Sequence, residues 1–263
     1  MNGLALGLLK NNMDKSKIVI IITGSQVDGW DKNWQECLFT WIPLVRQLGY
    51  HVKISFPDNN IPDYFLDEDG IIKFKCSYDK YGLFDRAVKL AFRWVLDYTD
   101  YEYYVKIDSD TFIHPTRFDN MLMENISECN FDYLGACHPY RLWNTNHNFK
   151  SYVHQNEDDI FWASGSAFII NRRIMEIAYN NLIINDEWEL GCDDLVLGRA
   201  MKKLNIPLLH DNRICYESPY NEIIDKTDDF IDGTPYIGDK NSHLAIQHYM
   251  NGHMAEAINN LIK

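Results

Sequence analysis

The chain is short of positive charge. It carries 25 Lys and Arg against 38 Asp and Glu, a formal net charge of −13. Nucleic acids and anionic membrane surfaces recruit basic patches, so neither is the expected main partner. Long apolar runs are also missing. The only N-terminal stretch resembling a targeting segment, Met1–Leu9, is broken by Asn2 and glycines and has no basic leader. It is too short for a signal peptide or a membrane span. As given, the chain is expected to be soluble and cytoplasmic, with the secretory-pathway lumen as the alternative if a native anchor has been trimmed. Cysteine is sparse: Cys37, Cys76, Cys129, Cys137, Cys192 and Cys215 are scattered, with no Cys-x-x-Cys pair. That excludes a zinc framework and a disulfide scaffold, leaving buried thiols as the expectation. No repeat, low-complexity tract or linker divides the 263 residues.

What is present is the material of one large α/β domain. Lys17–Thr23 is a continuous apolar run closed by Gly24-Ser25, a buried strand ending in a loop. Asn33–Gln47 has apolar residues at helical spacing, with Pro43 a candidate kink. His51–Phe56 reads as a second strand, ended by Pro57-Asp58, and a short strand is expected at Ile71–Lys75. The clearest helix is Phe84–Tyr98, where Ala87, Leu90, Ala91, Trp94 and Val95 form one stripe. It feeds the strand Tyr103–Ile107. Pro115 opens a helix to about Met123, at the first-turn position that proline tolerates. Asp132–Cys137 and Ala167–Ile170 are further strands. Asn171 N-caps a helix over Arg172–Asn180, and Asp193 or Asp194 opens another. From about residue 207 the pattern loses regularity, and the remainder is expected to cap the sheet edge. Strands alternating with helices give a sheet covered on both faces, with ligands beyond the carboxyl ends of its strands. Gly24-Ser25, Asp58 and Asp108–Asp110 all fall at such ends.

Asp108-Ser109-Asp110 carries the chemistry. If Asp108 is still on the strand, the two carboxylates point to one side. Carboxylates aimed together repel unless something neutralises them, and a hard cation such as Mn2+ or Mg2+ does so. Alone, the tripeptide fits a solvated turn better than a metal site. Lys106 shares the face of Asp108 but lies roughly 7 Å further back, so pairing with a carboxylate is its expected role. An Asp-Asp pair at a helix start can simply cap it; like charges so close also raise one pKa toward general-base use.

The order of these blocks resembles the Fringe-like β-1,3-glycosyltransferases of glycosyltransferase family 31 and the related mucin-type galactosyltransferases. That family is marked by a helix, a strand, then Asp-x-Asp-Thr and an aromatic, here Asp108-Ser109-Asp110-Thr111-Phe112. Thr40-Trp41 matches its Thr-Trp, and Phe56-Pro57-Asp58 resembles its Phe-Thr-Asp. Ser164-Gly165-Ser166-Ala167 stands where the family has a glycine-rich stretch, a departure. Asp193-Asp194 stands at its acidic pair, and Asn241-Ser242-His243-Leu244 resembles its His-Ser-His-Leu.

The resemblance implies a GT-A fold over residues 17–263 after an extension of residues 1–16, with a nucleotide-binding half to residue 112 and an acceptor-binding half from 113. It implies a UDP-sugar donor, a glycan or glycoprotein acceptor, Mn2+ (or Mg2+) as cofactor, and transfer of a hexose with inversion. Asp110 and Asp108 become metal contacts, with Ser109 between them and His243 as the third; His248 and His253 are the fallback residues. Thr23, Gly24, Ser25 and Asp58 take the uridine side. Trp162 and Gly165 join the donor set along its acceptor side. The base is Asp194 or Asp193, with Asp194 favoured. Two other classes are weighed. A haloacid-dehalogenase-type phosphotransferase wants Thr or Val where Phe112 stands, and a motif near the chain start. A non-catalytic sugar-nucleotide or glycan-binding module on this fold has no need of a base, and a retaining transferase is the remaining alternative.

Overall fold

The computed structural model describes residues 13–24, 33–58, 60–61, 65–68, 70–75, 83–138, 149–152, 162–180, 193–215, 236–247, 250 and 252–262. Its elements in order are β1 (Ile18–Thr23), α1 (Asn33–Phe39), α2 (Trp41–Gln47), β2 (His51–Pro57), β3 (Phe65–Glu68), β4 (Ile71–Phe74), α3 (Leu83–Tyr98) and β5 (Tyr103–Asp108). There follow β6 (Phe112–Ile113), α4 (Pro115–Glu124), β7 (Tyr133–His138), β8 (Phe149–Tyr152), β9 (Trp162–Asn171), α5 (Arg172–Ala178) and α6 (Asp193–Lys203). The chain ends with β10 (Leu208–Asp211), β11 (Ile214–Cys215), β12 (Ile246–Gln247) and α7 (Met254–Ile262).

Nine strands form one mixed sheet in the order β3-β4-β2-β1-β5-β9-β7-β10-β8. β4, β2, β1, β5, β7 and β10 run one way; β3, β9 and β8 oppose them. β1, buried along its whole length, lies between β2 and β5, so the connections from β1 diverge to its two sides. Alternation along the central strands splits the core in two. Ile18, Ile20, Ile22, Val105 and Ile107 face Trp41, Val45, Phe118 and Met121 of α2 and α4. Val19, Ile21, Tyr104 and Phe168 face Phe92 and Val95 of α3, Ile174 of α5 and Leu197 of α6. This is a mixed α/β arrangement, one large sheet with helices on both faces, as the alternation of strands and helices predicts.

Several expectations change at their edges. The helix expected over Asn33–Gln47 breaks at Thr40, whose backbone leaves the helical region and whose hydroxyl donates to Glu36 O at 2.7 Å. The break is there and not at Pro43, which sits in the first turn of α2, where a missing N–H costs nothing. The region from residue 207 is not merely a cap. β10 lies inside the main sheet between β7 and β8. A second, three-stranded sheet, β11-β12-β6, joins the C-terminal part to Phe112–Ile113. Asn171 does cap α5, accepting from Ile174 N at 2.9 Å. Among the described residues Cys37, Cys129, Cys137 and Cys215 are thiols, and all but Cys129 are buried. No helix among those residues is long and apolar enough to cross a membrane.

The start of α4 clamps the C-terminal part. His114 Nδ1 accepts the Arg117 amide, and His114 N–H donates to Ala245 O at 2.9 Å. The Arg117 guanidinium donates to the carbonyls of Ile237, Asp239, Lys240 and Leu244. Burial, aided by the Arg117 charge, lowers the His114 pKa to about 4. The folded protein thus holds His114 neutral, as the cap requires. Between the unfolded imidazole pKa near 6.5 and 4, only the unfolded chain binds the proton, so stability falls as pH drops through that window. The expected result is a melting temperature that declines below pH 6.5 more steeply in the wild type than in His114→Asn, which caps without titrating. Parallel pH profiles of the two proteins count against it.

Candidate active site

The sheet's switch point falls between β1 and β5, where the chain's connections diverge; open α/β sheets bind ligands in a crevice beyond the strand ends at such a point. In the β1–β5 register Thr23 is the partner of Asp108, so the β1 loop and the first carboxylate of the motif lie side by side. Asp108 is the last residue of β5, on the Tyr104 and Lys106 face, and Thr111 N donates to Asp108 O at 3.1 Å to turn the chain. Asp108 and Asp110 are part-exposed, whereas Ser109 and Thr111 are buried.

The turn is gripped from three sides. From below, Trp41 Nε1 donates to Thr111 O at 3.2 Å and Cys37 Sγ lies 3.2 Å from Ser109 O. The Thr-Trp block of the sequence is therefore a bracket for the Asp-x-Asp turn. From the C-terminal side, Met250 N donates to Asp110 O at 2.8 Å. Glu36 reaches over to the start of α7, accepting from the amides of Gly252 and Met254 at 2.8 and 2.9 Å. From the sheet, Lys106 closes it. This side chain is 1% exposed on an otherwise apolar face, and its ammonium bonds both the Asp108 carboxylate and Gly165 O. Pairing with a carboxylate is the role expected of it.

Gly165 sits in a large bulge. Between the pairs Gly135↔Phe168 and Cys137↔Ala163, one residue of β7 faces four of β9. Bulges re-aim a strand, and this one pushes Ser164–Ser166 out toward the strand ends. Its base is tight: a Cβ on Gly135 would come within 2.3 Å of Ala163 Cβ. The Ser164 and Ser166 hydroxyls lie 3.2 Å apart. Gly165 N–H then donates to Asp194 Oδ2 at 3.0 Å. Asp108, Lys106, Gly165 and Asp194 thus form one continuous hydrogen-bonded chain from the end of β5 to the first turn of α6.

The other expected residues fall as follows. Gly24 follows β1 and bonds Ser55 O through its N–H at 2.9 Å. Asp58 closes β2, where Asn60 N and Lys73 hold its carboxyl below the usual carboxylate range. Trp162 pairs with His138 at the start of β9 and is part-exposed. α6 begins at Asp193, as expected of the acidic pair. Ser25 and His248 lie outside the described residues. His243 is exposed on the turn before β12. Because β12 is antiparallel to β6, with Gln247 opposite Phe112, its C-terminal side runs toward Asp110 and His243 lies at its other end. His253 is part-exposed and 3.8 Å from Glu256.

Two carboxylates at one turn are the donors a hard divalent cation takes, completed by diphosphate oxygens and water. Among the described residues no group of three His, Cys, Asp or Glu side chains converges. The motif blocks mark Trp41 and the Ser164–Ala167 stretch but not what they touch; the bonds from Lys106 to Gly165 O and from Trp41 to Thr111 O span 59 and 70 positions of sequence and could be found only by folding the chain.

A galactosyltransferase family model matches residues 77–212, half of the chain, and the chain belongs to that family and is a glycosyltransferase. No curated protein sequence matches it significantly. Among solved structures it is similar to a glycosyltransferase involved in the glycosylation of the major capsid of PBCV-1, at 10% identity, over 93% of this chain and 98% of that one, with a TM-score of 0.46. It is also similar to a CMP:2-keto-3-deoxy-manno-octonic acid synthetase complexed with CTP, at 11% identity, over 74% and 89%, with a TM-score of 0.44.

The crevice floor has little slack. A Cβ on Gly24 would lie 2.3 Å from the Phe56 ring, which Trp34 packs edge-on at 5.1 Å. Gly24→Ala is expected to cost about 1–3 kcal/mol of stability, the usual penalty of overpacking. Denaturant unfolding with an unchanged midpoint would show that the ring can move aside.

Proposed function

We propose that this glycosyltransferase moves a hexose from a UDP-sugar to a hydroxyl of a glycan or glycoprotein acceptor, with inversion at the anomeric carbon. The family's name makes galactose the first donor to try. The observation that carries the reading is the hydrogen-bonded chain joining Asp108 to Asp194 through Lys106 and Gly165. It supports one site with a diphosphate-side carboxylate and a base-side carboxylate at the same end of the sheet's strands.

Asp108 and Asp110 would hold Mn2+ or Mg2+, with a histidine as third protein contact. The resemblance implies His243 for that contact, with His248 and His253 as fallbacks. A cation bound there supplies Lewis-acid stabilisation of the departing diphosphate. Thr23, Gly24, Ser25 and Asp58 line the uridine side. Trp162 and the Gly165 bulge line the acceptor side. Asp194 accepts the proton of the acceptor hydroxyl as that oxygen attacks opposite the leaving UDP, the arrangement inversion requires. Its bond from Gly165 N–H fixes one carboxylate oxygen and orients the other.

The test is incubation of the purified protein with UDP-galactose, UDP-glucose and UDP-N-acetylglucosamine, with and without Mn2+, while UDP release and product anomer are followed. Turnover with one donor, inverted product, loss of UDP release in Asp110→Ala and a fall of about 10²–10⁴ in kcat in Asp194→Asn are expected. UDP binding without turnover under any donor and acceptor would instead indicate a binding module. A retained anomer would remove Asp194 from the role of base.

A further inference from the structure

Lys106 is hard to account for by stability alone. Taking an ammonium out of water costs several kcal/mol, and buried ion pairs are often replaced by apolar residues of similar volume with no loss of stability. Its neighbours along the same strand face and across the sheet are Tyr104 and Phe168, both buried, a setting in which methionine would pack without desolvating a charge. The ammonium nonetheless sits there, making two contacts that point the same way, toward the strand ends.

Those contacts join two parts of the site that the backbone leaves separate. Asp108 ends β5, and Asp194 belongs to α6, 86 positions later. Between them the Ser164–Ser166 bulge has left the β7–β9 ladder, which pins only its flanks at Ala163 and, with β5, at Ala167. Besides the contacts between its own two serines, it is reached by a 3.5 Å contact from the Thr111 hydroxyl to Ser166 O, by the Lys106 bond to Gly165 O, and by the bond from Gly165 N–H to Asp194. One glycine is thus held by its carbonyl from the Asp-x-Asp side and, through its amide, holds the carboxylate on the other side.

We propose that Lys106 is a positioning residue: by anchoring the Gly165 bulge to Asp108, it sets the orientation of Asp194 toward the acceptor. This deepens the transfer reading above and rests on it for its catalytic consequence, although its structural half stands independently. A buried ammonium suits the task because it donates to the Asp108 carboxylate and to Gly165 O at once, whereas an apolar side chain would leave Gly165 O without that donor.

The experiment uses the full chain and two kinds of readout. Lys106→Met keeps the volume and removes the charge; Lys106→Arg keeps the charge. Amide hydrogen exchange is followed at Gly165 by NMR, with steady-state transfer from the active UDP-sugar measured alongside. In the wild type the Gly165 amide is expected to be protected. In Lys106→Met it should exchange at least about tenfold faster while distant core amides such as Ile20 and Val105 stay protected. In the same variant kcat should fall at least about tenfold with donor KM changed less than about threefold, and Lys106→Arg should recover part of kcat. Should Lys106→Met not fold, Asp194→Ala reads the same link from its other end: the Gly165 amide should lose protection with core amides unaffected. Unchanged Gly165 protection in Lys106→Met, or an unprotected Gly165 amide in the wild type, overturns the tether. Increased exchange with unaltered kcat overturns the catalytic half. If no UDP-sugar turns over in the wild type, the transfer reading fails while the exchange result still decides the tether.

Discussion

The parallel pairing of β1 with β5 is the constraint on which the rest of the site depends. Register fixes Thr23 opposite Asp108, and the chain leaves β1 toward β2 on one side while β1 pairs with β5 on the other, which makes their carboxyl ends the switch point of the sheet. Both strands are buried on both faces by helices, so a slip of one residue would exchange the Ile20 and Ile21 faces, and with them Lys106 and Asp108. The crevice is therefore held by the packing of two cores, each far larger than the site itself.

On that base, the Asp-x-Asp turn is fixed by backbone contacts more than by its own side chains. Trp41, Cys37 and Met250 all address main-chain oxygens of residues 109–111. Arg117 does the same service for the segment at residues 237–244. Holding carbonyls satisfies polar backbone groups that a turn removes from the sheet ladder. The departure from the glycine-rich block has a similar explanation. Ser164-Gly165-Ser166 keeps a glycine at the bulge's centre, and the flanking serines, both buried, have hydroxyls 3.2 Å apart.

The apolar runs and stripes announced β1, β2, β5, α3, α4 and α5 within a residue or two, because a buried strand and a one-faced helix write their periods locally. The hairpin partner β3, the edge strand β8 and the helix α7 were missed. Short strands lying between turn-rich residues carry little pattern of their own, and their pairing partners supply the order. β9 was seen only as Ala167–Ile170, since its first half is a bulge whose Ser-Gly-Ser has no strand period.

For the site, the residue types and their order along the chain already named a carboxylate pair at a strand end, an acidic helix start and a glycine between them, since each is a local signature of charge and geometry. Which of these meet was settled only by folding. The tie of Lys106 to Gly165, the reach of Gly165 to Asp194, the bracket from Trp41 and the end of β12 that approaches Asp110 all depend on strand order and register. Those are properties of pairings between segments far apart in the chain, decided by which faces can be buried together, and no window of local sequence contains them.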